Sequence, residues 1–147
     1  MKKAMALFLC IIVFLPLNAC DYNAPLRNKM LDYYSRAENY VQVQGIIKTI
    51  AYLEDINELR VEIEITTEDH QFPYIGEDGC GEFAIVSWSS YEFNLEVDNV
   101  IAFTSAPMYF YNGHVWPIVA IQSKGEEYLS FCDGKDNYLN WIQKTFN

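Results

Sequence analysis

The sequence is poor in the residues and spacings that mark a catalyst. Two histidines and four cysteines occur in 147 residues, and no CxxC, HxxxH or EF-hand spacing joins them or the acids. Zinc, thiol redox and calcium chemistry therefore lack their ligand pattern. Ser87, Ser89, Ser90 and Ser105 are available as hydroxyls, but no G-x-S-x-G stretch holds one, so a strand-to-helix nucleophile turn is missing. Basic residues are scarce too, with 10 Lys and Arg against 20 Asp and Glu. Affinity for nucleic acid rests on cations that neutralise phosphates, and this balance argues against that partner. No repeat or low-complexity segment is present, and the longest uncharged apolar run, residues 4–17, falls short of the ~20 residues that span a bilayer.

The beginning of the chain has more to say. Lys2 and Lys3 precede that apolar run, and Pro16 breaks its end, which is the three-part layout of an export signal. Leu17-Asn18-Ala19-Cys20 then follows. This stretch resembles the lipobox of bacterial lipoproteins: an aliphatic residue, a variable one, a small one, and the cysteine that is acylated. The resemblance implies a cut before Cys20 and a diacylglycerol thioether on its sulfur, with a fatty acyl chain such as palmitate beside it. The chain would then divide into a leader, residues 1–19, and one mature domain, residues 20–147. It would sit on the outer face of the cell membrane, on the periplasmic side in a Gram-negative cell. The alternative is an ordinary signal cut after Ala19, leaving Cys20 free or disulfide-bonded. Asp21 resembles the inner-membrane retention signal of enteric Gram-negative lipoproteins.

Removing the leader takes away Lys2 and Lys3 and no acid, leaving 20 acidic against 8 basic residues, a formal charge of −12 where the full chain has −10. Such a domain gains little from anionic lipid headgroups, so the lipid on Cys20 is its expected hold on the membrane. Eleven Tyr, nine Phe and three Trp favour half-buried pleated surfaces. Cys80 and Cys132 form a candidate disulfide worth about 2–4 kcal/mol if it closes. Spacing alone leaves paired and free thiols both open.

Residues 23–40 read as a helix, with Asn23 as cap, Pro25 in the first turn, and Leu26, Met30, Tyr33 or Tyr34, and Ala37 at helical spacing. From Tyr40 the period becomes two, and Gly45 interrupts the first strand as a bend. Leu59, Val61, Ile63 and Ile65 alternate with Arg60, Glu62, Glu64 and Thr66, a strand with one wet face. Residues 68–81 are loop. Further strands are expected at 83–88, at 100–103 resuming over 108–111, at 115–122 beyond the Asn112-Gly113 hairpin signal, and at 126–131. Residues 133–146 close as a helix, capped by Asp133. This order, with its bent first strand, resembles the OB-fold over residues 40–122, as in OB-fold lipoproteins of unknown function. It implies a mainly β, five-stranded barrel with flanking helices. A cystatin-like α+β sheet, with the first helix across an open meander, buries the same faces and is the alternative.

Three places invite a functional reading. His70 beside Glu68 and Asp69 suits a hydrolase centre only if the loop folds these groups together; otherwise it is a solvated loop. Glu62 and Glu64 share a strand face beside Arg60 and read first as a solvent face. Tyr109, Tyr111 and Trp116, about the hairpin, form a candidate binding surface, the alternative being that they close one end of the core. The expectation is a noncatalytic, membrane-anchored envelope lipoprotein that binds a protein or small envelope ligand and needs no cofactor or metal. An exported hydrolase and a purely structural envelope protein are the alternatives.

Overall fold

In a computed structural model, residues 22–108, 110 and 115–147 are described. Five strands curl into a closed barrel: β1 (Val41–Leu53), β2 (Glu58–Ile65), β3 (Cys80–Val86), β4 (Val100–Ser105) and β5 (Val115–Ser123). Their order is β3-β2-β1-β4-β5, and β3 meets β5 in parallel to close the ring; the other pairings are antiparallel. A sixth strand, β6 (Glu126–Leu129), extends from β5. The β3–β5 pairing excludes the open cystatin-like sheet and bears out the OB-like barrel.

Alternation explains which way each strand faces. Leu59, Val61 and Ile63 are buried in β2 while Arg60, Glu62 and Glu64 stay partly exposed. β1 is long because its first half pairs with β4 and its second half with β2. Gly45 sits where both ladders meet, and a Cβ there would overlap the Ile63 side chain and the Glu64 backbone. Beyond it the register slips between Ile47 and Thr49, so the bend expected at Gly45 is shared with a bulge at Lys48.

Rings fill the barrel. Phe83 lies 4.8 Å from Phe103 and 5.4 Å from Trp116, and Phe72 packs 5.3 Å from both Phe83 and Trp116. Phe72 comes from the acidic loop after β2, so that segment plugs the barrel as well as connecting strands.

Two helices form a second layer. α1 (Ala24–Ser35) is followed by a 3-10 turn, Ala37–Asn39, so the expected helix ends five residues early. Asn23 occupies its N-cap without a side-chain cap bond. α2 (Phe131–Thr145) begins before Asp133. The cap is Ser130, whose Oγ accepts from the Asp133 amide and donates to the Asp133 carboxylate at 2.6 Å, a reciprocal arrangement related to the capping box. Met30 and Tyr34 of α1 meet Tyr138 and Ile142 of α2 over Val119 of β5 and Val86 of β3. Tyr34 Oη donates to the Met108 carbonyl at 2.8 Å. Arg27 donates to the Phe146 carbonyl at 2.8 Å, a cation at the negative end of α2.

Gly134 lets α2 lie directly on β5, since a Cβ there would collide with the Val119 carbonyl. Gly134→Ala should therefore destabilise the domain by about 3 kcal/mol through overpacking, in place of the ~0.5–1 kcal/mol gain normal for an exposed helix. Urea unfolding measures it; a stabilised variant would show that helix and strand are not in contact.

Candidate functional site

The sequence-derived candidates scatter. Cys20 and Asp21, and Tyr109, Tyr111, Asn112, Gly113 and His114 of the hairpin, lie outside the described residues. Trp116 is fully buried, and its Nε1 donates to the Pro107 carbonyl at 2.9 Å. It therefore leaves the proposed binding surface and belongs to the core. The cause is that β5 is covered by the barrel core on one face and helices on the other, so its alternation does not mark a wet side. Phe110 is half-buried, 5.5 Å from Tyr33 and 5.7 Å from Tyr34.

Cys80 and Cys132 are free thiols, which corrects the disulfide. Cys80 opens β3, whereas α2 touches the far end of that strand, where Asn137 donates to the Val86 carbonyl at 3.0 Å. Six strand residues, about 20 Å at ~3.3 Å each, separate the two ends. His70 does not join Glu68 and Asp69 in a cluster: both acids are exposed, while the imidazole tilts toward Phe72 at 6.4 Å. Its Nδ1 is buried without a partner among the described residues. Glu64 pairs with Lys48 at 2.7 Å, and Glu62 accepts a 3.3 Å bond from Thr49, as solvent-face carboxylates do.

The Glu62 and Asp78 carboxylates and the Cys80 thiol come within 4.8 Å of one another. Desolvation, then the nearby Asp78, pushes the thiol up from its ordinary value. Acids crowd together in this way on protein surfaces without an ion between them.

A different place has the shape of a site. A groove of about 460 Å³ is lined by Tyr52, Trp88, Tyr91, Glu92, Phe93, Asn94 and Tyr128, within the usual range for small-ligand pockets. Three separated segments build it. Tyr52 is near the end of β1 and half exposed; Trp88 opens the 3-10 turn Trp88–Ser90 after β3; residues 91–94 continue that connection; Tyr128 comes from β6. Trp88, Tyr91, Phe93 and Tyr128 pack against the barrel core and also line the groove. The Tyr52 and Trp88 rings meet at 65° with centroids 5.0 Å apart, and Tyr91 and Phe93 at 36° and 5.5 Å.

The walls are fastened by backbone. Asn57, at the tip of the β1–β2 hairpin, takes up the Trp88 amide on its carbonyl at 3.3 Å and the Ser89 amide on its side-chain oxygen at 3.0 Å. Asn57 and Ser87 both adopt left-handed backbone, φ 51° and 52°. Asn tolerates this region; Ser is uncommon there, so the turn carrying Trp88 is held against local preference. Tyr91 Oη donates to the Asp133 carbonyl at 3.4 Å. Burial raises the Tyr91 phenol above its ordinary value, and Asp133 adds to the shift. The phenol therefore stays protonated and donating. Sequence reading missed this site because its rings lie far apart in the chain; the one signal was Trp88, Tyr91 and Phe93 crowded into a connection without core periodicity.

Compared with known protein families, curated proteins and solved structures, the chain matches none.

The thiols give a direct check. In the folded protein at pH 8, an alkylating reagent should label Cys132, which is exposed, faster than Cys80. Asp78→Asn should speed labelling of Cys80 by removing the neighbouring charge that raises its thiol. Mass spectrometry showing the two joined would contradict the free-thiol geometry.

Proposed function

We propose that this chain is an exported lipoprotein, anchored by lipid on Cys20 to the outer face of the cell membrane, whose barrel is a noncatalytic binding module for an envelope ligand. The observation that carries the binding reading is the aromatic groove of Tyr52, Trp88, Tyr91, Phe93 and Tyr128. It combines apolar area with phenol handles, and Asn57 holds the turn that carries Trp88 before any ligand arrives, which lowers the ordering cost of binding. Trp116 leaves the hairpin surface because it is enclosed in the core, while Tyr109 and Tyr111 lie outside the described residues.

The anchor reading rests on Lys2, Lys3, the apolar run and Leu17-Asn18-Ala19-Cys20. No helix among the described residues is long and apolar enough to cross a membrane. With the mature domain at −12, attachment depends on the acyl chains. Asp21 directs the lipoprotein to the inner membrane if the cell is an enteric Gram-negative.

Two experiments test these parts separately. Cys20→Ser should move the protein from the membrane fraction to the soluble fraction; a variant that stays membrane-bound in high salt would refute lipid anchoring. Tyr52→Ala with Tyr128→Ala should lower capture of the native ligand at least about tenfold, the loss of ~1.4 kcal/mol, with little change in thermal midpoint. Unchanged capture by a folded double variant would remove the groove as the binding site.

A further inference from the structure

The groove's charge and ring geometry narrow the ligand class. Among the described residues no Lys or Arg lines it; Glu92 does, and the adjoining depression that shares Tyr52 adds Glu54 and Asp55. Aromatic faces carry the negative part of the ring quadrupole. Rings and carboxylates thus bias the groove in the same direction, within a domain that is acidic throughout. A neutral ligand gains nothing from that bias and an anion is repelled by it.

Shape points the same way. A flat ligand stacks best on one open ring face or on parallel rings, whereas Tyr52 and Trp88 meet steeply, at 65°. Beside that edge-on pair, Tyr91 and Phe93 are tilted at 36°, so the rings line the groove at several angles, an arrangement that suits a rounded head better than a flat plate. The volume, about 460 Å³, leaves space for an organic body beyond the charged head. Elsewhere the molecule already uses this interaction, with Lys135 Nζ 5.5 Å from the centre of the Phe131 ring.

Resting on the binding-module reading, we infer that the groove takes a small, free organic cation bearing an alkylated ammonium group, held by the faces of Tyr52, Trp88, Tyr91, Phe93 and Tyr128 and by the Glu92 carboxylate. Quaternary ammonium recognition is the functional use to which such ring enclosures are suited. A carboxylate or phosphate on the ligand weakens binding, because it meets Glu92 and the acids of the hairpin. The same ammonium chemistry occurs on choline-headed lipids, whose phosphate sets them apart from the free cation.

The test is calorimetric titration of the mature, lipid-bearing protein in detergent with choline, with phosphocholine, and with 3,3-dimethylbutan-1-ol, the uncharged carbon isostere of choline. Choline should bind about tenfold more tightly than the isostere, and more tightly than phosphocholine. Glu92→Gln should weaken choline about threefold and Tyr52→Ala about fivefold, without changing the isostere's affinity as much. Equal affinity for choline and isostere would overturn the cation assignment, as would no choline binding. Preference for phosphocholine would overturn the free cation in favour of a headgroup. If choline fails while Tyr52→Ala with Tyr128→Ala still abolishes native-ligand capture, the groove stands and only its ligand class falls. If both fail, the binding reading falls with it.

Discussion

The short parallel ladder between β3 and β5 is the constraint on which the rest depends. Among the described residues it pairs Glu82 with Val115, Phe83 with Trp116, and Ala84 with Pro117, and Pro117 brings no N–H to it. Backbone pairing is not the whole of the closure. Ring packing supplies the remainder, because Phe83 and Trp116 face each other across the seam with Phe72 and Phe103 beside them. Each aromatic pair adds about 0.5–1.5 kcal/mol beyond burial. The Trp116 indole N–H then ties the seam to the Pro107 carbonyl, satisfying a donor that would be costly to bury alone.

Closure also settles where the helices sit. β5, at the seam, is buried along nearly its whole length, with the ring core inside and the α1–α2 layer outside. Tyr34 is the centre of that outer layer: its ring meets Tyr138 edge-on at 4.9 Å, and its carbonyl accepts the Tyr40 hydroxyl at 2.8 Å. The two cores meet across both β3 and β5, so neither layer is independent of the other.

Much of this was legible in residue order, for reasons that particular elements make plain. β2 was read correctly because one face is wet, so charge and apolarity alternate without exception from Leu59 to Glu64. The start of α2 was read late because Phe131 and Cys132 look like the end of a strand; only the bond from the Asp133 amide to Ser130 marks the turn. For Trp116 the pattern leaves a surface and a core position both open, because a period of two carries no information about sides when both are covered. The Cys80–Cys132 pairing was undecidable from spacing, since the distance depends on where α2 lands along β3. The groove was illegible for a related reason: Tyr52, Trp88 and Tyr128 become neighbours only once β1, β3 and β6 are in place.

The contact between Gly134 and β5 reaches beyond stability. Asp133, the preceding residue, offers its carbonyl to the Tyr91 hydroxyl, and Tyr91 is one wall of the groove. At Gly134 no side chain separates helix from strand, so the first turn of α2 is set hard against the barrel, like the fixed jaw of a calliper. One wall of the groove hangs from that jaw. A substitution buried in the helix layer, remote from any ligand atom, acts on the site as a change of bore.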